Sequence, residues 1–301
     1  MFSKFSKFGQ GLGSGMKFHN ILSRGIRQQL KNKLGSETQT GPSTLSMVLL
    51  GLGVGGLGYL CWNSAQRESS HTRALISSGA SVSNEVALQR TKDTMMYFSG
   101  SIAITGAMSG LMLRSPTILK YSFGWAGLLL TLPGSFFCIY KMYTIPYAHK
   151  NQVEKKAYWL GFNALMAFSL VPIVYSAELL VLRDAFLITS GCFAGLGLIT
   201  KNSRDDAFLG MSGFLGAGLG ALVALSFANI FFQSNAIFNI WLYGGLALFL
   251  GYTLYDMKTV QVRAQRAAYF DPMTQSLGVY LDFINIFIRL VYILQGKKNK
   301  K

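Results

Sequence analysis

Two aspartates near the end of the 301-residue chain, Asp256 and Asp282, lie in or at the edge of long apolar runs. Asp256 closes one run after Y-T-L-Y. Asp282 falls about two turns into the next, within Y-L-D-F-I-N-I-F-I-R-L at 280–290. A carboxylate at membrane depth costs roughly 2.5–3.5 kcal/mol on insertion scales, which makes it a candidate for function. The connection 257–275 returns the chain to the same side, so the two runs are antiparallel. Asp282 then lies about 9 Å from the start of its helix at 1.5 Å per residue, near the same membrane face as Asp256. Two carboxylates that meet in low dielectric share protons as a coupled pair. Such a pair can act as a pH-dependent latch, and when ionised it offers hard oxygen ligands suited to Ca²⁺. It can equally be a hydrogen-bonded structural clamp. All three readings require Asp256 and Asp282 to meet.

Asn285 and Arg289 follow Asp282 at helix angles of about 300° and 340° from it, at 100° per residue. The three form one polar stripe, expected to face the bundle interior while the Phe and Ile residues face lipid. Arg289 is read as a bystander or a counter-charge. Glu178, near the end of another apolar run, is a candidate to line a pathway or to reach the headgroups. Asp184 is read as an acid at a helix start, where it suits the helix dipole.

Other chemistry lacks its residues. His19, His71 and His149 have no metal spacing to one another or to Cys61, Cys138 and Cys192, which fall far apart in apolar runs and read as small buried thiols. No G-x-S-x-G or H-E-x-x-H occurs. G-L-G-V-G-G at 51–56 has the letters of a dinucleotide loop, but it sits inside an apolar run. With Gly191/Gly195 and Gly216/Gly220 it reads as close helix packing. Tyr255–Asp256 matches half of an intramembrane aspartyl protease signature, but the G-x-G-D half is missing at Asp282. No enzyme and no bound cofactor is expected.

The elements that must hold these residues follow from composition. The chain is 50% hydrophobic and 13% charged, with a mean hydropathy of +0.34, against about 25% charged in soluble domains. The net charge of +16 suits anionic lipid or organelle import. Nucleic acid is disfavoured, because the basic residues are scattered between apolar runs. Residues 1–36 carry seven Lys and Arg and no acid, with Leu22, Ile26, Leu30 and Leu34 on one stripe, which describes a mitochondrial transit segment within 1–43.

Apolar runs at 44–62, 95–113, 119–140, 157–181, 185–200, 207–232, 236–255 and 276–294 are long enough to span hydrocarbon as helices. These predict an all-α membrane protein with about eight spans: an extra N-terminal helix at 44–62, a loop at 63–94 holding a candidate surface helix, and a bundle over 95–301. Loops 63–94, 141–156, 201–206 and 256–275 carry 13 Lys and Arg, against six on the opposite side. The positive-inside rule would set the first group on the matrix side of a mitochondrial inner membrane.

Y-L-D-F-I-N-I-F-I-R-L, with L-Y-D-M-K-T-V-Q-V-R-A-Q-R upstream, resembles the paired signature of the transmembrane Bax inhibitor motif family. M-Y-F-S-G-S-I-A-I-T (96–105), R-D-A-F-L-I-T-S-G (183–191), L-Y-G-G-L (242–246) and F-D-P-M-T-Q-S-L (270–277) extend the resemblance over about 90–301, towards the family's mitochondrial branch. It implies a seven-helix bundle with the last helix central, preceded by one additional span. It also implies that Asp256 and Asp282 take the positions of a di-aspartyl pH sensor. The implied activities are pH-sensitive Ca²⁺ leak or Ca²⁺/H⁺ exchange, cristae organisation and cytochrome c retention with other inner-membrane proteins, and apoptosis control. One departure is that 119–140 has no acid, where bacterial relatives carry a glutamate and an arginine.

Overall fold

The computed structural model describes residues 70–79, 81–122, 125–232 and 234–298. The transit segment and the span expected at 44–62 lie outside them. Every regular element among the described residues is helical.

A helical stretch at 70–77 precedes α1, Asn84–Met112. Ser83 caps α1 by accepting from the Val86 N–H at 3.4 Å, and Glu85 stands in its first turn, where a negative charge meets the free N–H groups. The candidate surface helix therefore runs on into the first span without a break. A short α2, Pro116–Ser122, begins on a proline and is bent by 111° from α1. There follow α3 (Trp125–Thr144), α4 (Gln152–Ser176), α5 (Leu179–Asn202), α6 (Ser212–Phe232), α7 (Asn235–Arg266, with one π-helical turn at Ile240–Gly244) and α8 (Pro272–Lys298).

Apart from α2, these helices number seven, each of 20 residues or more. Five are long and apolar enough to cross a membrane, and six if α1 with α2 counts as one bent span. Pro133 and Pro172 lie inside α3 and α4, where neighbouring helices in a membrane bundle can satisfy the freed backbone groups.

Two boundaries and one buried face differ from the sequence reading. The run 119–140 is divided between α2 and α3, with Gly127 in the first turn of α3 lying close against the end of α2. A Cβ there would lie 2.7 Å from the Tyr121 carbonyl oxygen, a close approach that hydropathy alone does not register. The run at 185–200 belongs to a helix that starts six residues earlier, since Arg183 and Asp184 form an exposed ion pair at 2.9 Å inside α5. Asp184 is thus in the second turn, not at the helix start.

The third difference concerns α8. It packs against α1, α5 and α7, and Phe283, Ile284, Ile286 and Val291 are as buried as Asp282. The Phe and Ile residues of this helix do not all face lipid, as the polar stripe had suggested. A helix surrounded by others is buried all round, so it shows no apolar stripe.

The helix ends on one side of the bundle are knitted together. Arg90 Nη1 donates to the Ala267 and Ala264 carbonyls at 2.8 and 3.2 Å, capping α7. Lys258 Nζ donates to Ser203 O at 2.8 Å and caps α5. Arg266 pairs with Asp205 at 2.7 Å. Lys155, 1% exposed, pairs with Asp271, whose Oδ1 also accepts from the Met273 and Thr274 N–H groups that open α8. Lys155 and Lys258 count as loop charges by position. In the fold both are buried and committed to helix ends.

Candidate functional site

The two aspartates are brought together by a glycine. The Asp256 carboxylate on α7 rests against Gly278 of α8, where a Cβ would overlap Oδ2 and lie 3.2 Å from Cγ. Gly278 is four residues before Asp282, hence on the same helix face one turn, about 5.4 Å, away. Asp282 is 4% exposed, and its Oδ2 has no hydrogen-bond partner among the described residues. Asp256 is half-buried.

Arg289 does not serve as the direct counter-charge that its helix angle allowed. Its Nη1 donates to Asn285 O and Oδ1, both at 3.0 Å, and Asn285 in turn donates to Leu281 O at 2.9 Å. The guanidinium is held between the rings of Trp241 and Phe249, 4.7 and 4.6 Å from their centroids. Gly245 makes room for it, since a Cβ there would overlap the guanidinium. The polar stripe thus splits into an acidic end at Asp282 and a cationic, aromatic-clamped end at Arg289. The latter lies against the π-helical turn of α7. Glu178 is exposed and stands at the N-cap of α5, in the turn after α4.

Sequence reasoning missed a second buried polar group. Thr105 Oγ1 and Tyr280 OH share a hydrogen bond at 2.8 Å, Thr105 also donates to Asn163 Oδ1 at 3.4 Å, and Asn163 donates to Trp159 O at 2.8 Å. All three side chains are buried, joining α1, α4 and α8 two residues before Asp282. The available signal was the small-polar spacing Ser101, Thr105 and Ser109 on α1, all buried on one face.

Chemically, the pair can take up and release protons, or supply at most four carboxylate oxygens to a passing cation. Ca²⁺ takes six to eight oxygens. Among the described residues no group of three or more His, Cys, Asp and Glu converges as a metal site. The arrangement suits a transient ion, completed by water or carbonyl oxygens, better than a resident metal.

The family model for the inhibitor of apoptosis-promoting Bax1 matches residues 87–300. The chain belongs to the Bax inhibitor family. It is similar to the growth hormone-inducible transmembrane protein of Rattus norvegicus, with 29% identity over 224 residues, which cover 70% of this chain and 64% of that protein. It is also similar to Bax inhibitor 1 of Homo sapiens, with 28% identity over 210 residues, covering 68% and 86%. The chain therefore spans less than two thirds of the rat relative. As a Bax inhibitor family member it is a multi-pass helical membrane protein, and Asp256 and Asp282 both lie inside the matched region.

Proposed function

We propose that this protein moves Ca²⁺ across the mitochondrial inner membrane, as pH-sensitive Ca²⁺/H⁺ exchange or leak, under control of Asp256 and Asp282. The observation that carries this reading is the Asp256 carboxylate seated on Gly278, one turn from a buried Asp282 whose Oδ2 lacks a hydrogen-bond partner among the described residues. Protons and Ca²⁺ compete for the same oxygens, so occupancy by one excludes the other. The mitochondrial location is supported by the basic, acid-free N-terminus and by similarity to the rat growth hormone-inducible transmembrane protein. The same family membership supports a part in apoptosis control.

The second reading is a structural scaffold that maintains cristae and cytochrome c retention through other inner-membrane proteins, with the pair as a clamp between α7 and α8. The seating of Asp256 on Gly278 favours it too, because that contact fixes the two helices together. Asp256→Asn with Asp282→Asn separates the readings. Transport requires a change in Ca²⁺ flux by the purified protein in vesicles. A clamp predicts altered thermal stability or partner crosslinking with flux untouched.

A further inference from the structure

A lateral cleft of about 640 Å³ opens between α1 and α5, with α7 and α8 as its floor. Rings form its inner wall: Phe98 stacks on Phe193 at 5.7 Å between centroids, and both meet Phe283 edge-on at 5.8 and 5.1 Å. Ala103 and Ala194, both exposed, leave the mouth wide. The lining runs along α5 from Phe186 to Lys201. At 1.5 Å per residue that is about 22 Å, more than half of a hydrocarbon core of roughly 30 Å.

One end of the cleft is different in kind. Thr91, Gln261 and Lys201 line it, in the first turns of α1 and the last turns of α7 and α5. Lys201 is exposed and has no ion-pair partner among the described residues, unlike the buried Lys155 and Lys258 at the same end of the bundle. In a membrane-spanning bundle a laterally open apolar cleft faces acyl chains, and the boundary where α5 ends is at headgroup level. Basic residues at such a level attract anionic headgroups.

We propose that this cleft is a binding site for one anionic phospholipid, an acyl chain lying along the Phe98–Phe193–Phe283 wall and the phosphate on Lys201. The site does not depend on the transport reading. Met257 and Phe283 of its lining are the chain neighbours of Asp256 and Asp282, which do not themselves line it.

The full chain, purified in detergent and titrated with phosphatidylglycerol or phosphatidylcholine, is followed by native mass spectrometry. One phosphatidylglycerol should be retained at about tenfold lower lipid concentration than phosphatidylcholine, and Lys201→Gln should remove that preference. Ala103→Trp with Ala194→Trp, which fills the mouth, should abolish retention of the first lipid of either kind, with helical content by circular dichroism unchanged. Inorganic phosphate alone should not compete. Equal retention of both lipids by the unaltered chain, an unchanged preference in Lys201→Gln, retention by the filled cleft, or competition by phosphate would each overturn the proposal. Crosslinking of a diazirine-acyl phosphatidylglycerol to the unmodified chain gives a readout free of any folding defect. Adducts concentrated at 91–103 and 186–201 support the site, and adducts spread evenly over lipid-facing helices overturn it.

Discussion

The Asp256 carboxylate rests on Gly278, one turn before Asp282 on α8. The carboxylate of one helix occupies the space where the next helix would otherwise carry a side chain. This is a constraint between two positions 22 residues apart in sequence, and it can be measured as a coupling. Gly278→Ala should destabilise the protein by about 1–3 kcal/mol, the usual cost of overpacking. In an Asp256→Ala background, where the carboxylate is gone, most of that cost should vanish. A thermal-unfolding cycle in detergent checks this, and additive effects would mean that Gly278 and Asp256 do not compete for space.

The clamp on Arg289 makes a separate prediction. Trp241→Leu and Arg289→Met should each lower stability. Their double-mutant coupling should be about 1–2 kcal/mol, as expected for a desolvated cation on an aromatic face. If Arg289 worked instead as a counter-charge to Asp282, its loss would alter the pH dependence of Ca²⁺ flux. Held away by Asn285, Trp241 and Phe249, it is expected to leave that dependence in place.

How much of this was legible beforehand varies by element. Asp256 and Asp282 stood out because a charge inside an apolar run is rare, and connection length alone gave their antiparallel placement. Gly278 did not stand out, because in the sequence it is one of 33 glycines. The burial of Phe283 and Ile286 was also hidden, since an apolar residue looks the same whether it faces lipid or protein. Thr105, Asn163 and Tyr280 passed as ordinary members of their spans, and only the fold brings their hydroxyl and amide groups together. Lys155 and Lys258 read as loop charges because the first and last turns of helices are polar in sequence whether or not they are buried.

The ion pair of Lys155 and Asp271 supplies a third test. Lys155→Met leaves Asp271 buried beside its helix-capping bonds and should cost about 3–5 kcal/mol, the cost of stranding one partner of a buried pair. Asp271→Asn should cost less when added to Lys155→Met than when made alone. Chemical denaturation of the four proteins in matched detergent reads the cycle. Independent costs would show that the pair does not hold the α3–α4 turn to the start of α8.

The transport reading stands or falls on the carboxylates themselves. Purified protein reconstituted into vesicles with an internal Ca²⁺ indicator should show Ca²⁺ flux that changes with pH. Asp256→Asn with Asp282→Asn should abolish that pH dependence while the protein remains folded and inserted. Flux and pH profile identical to those of the unaltered protein would contradict the account and leave the pair as a clamp between α7 and α8.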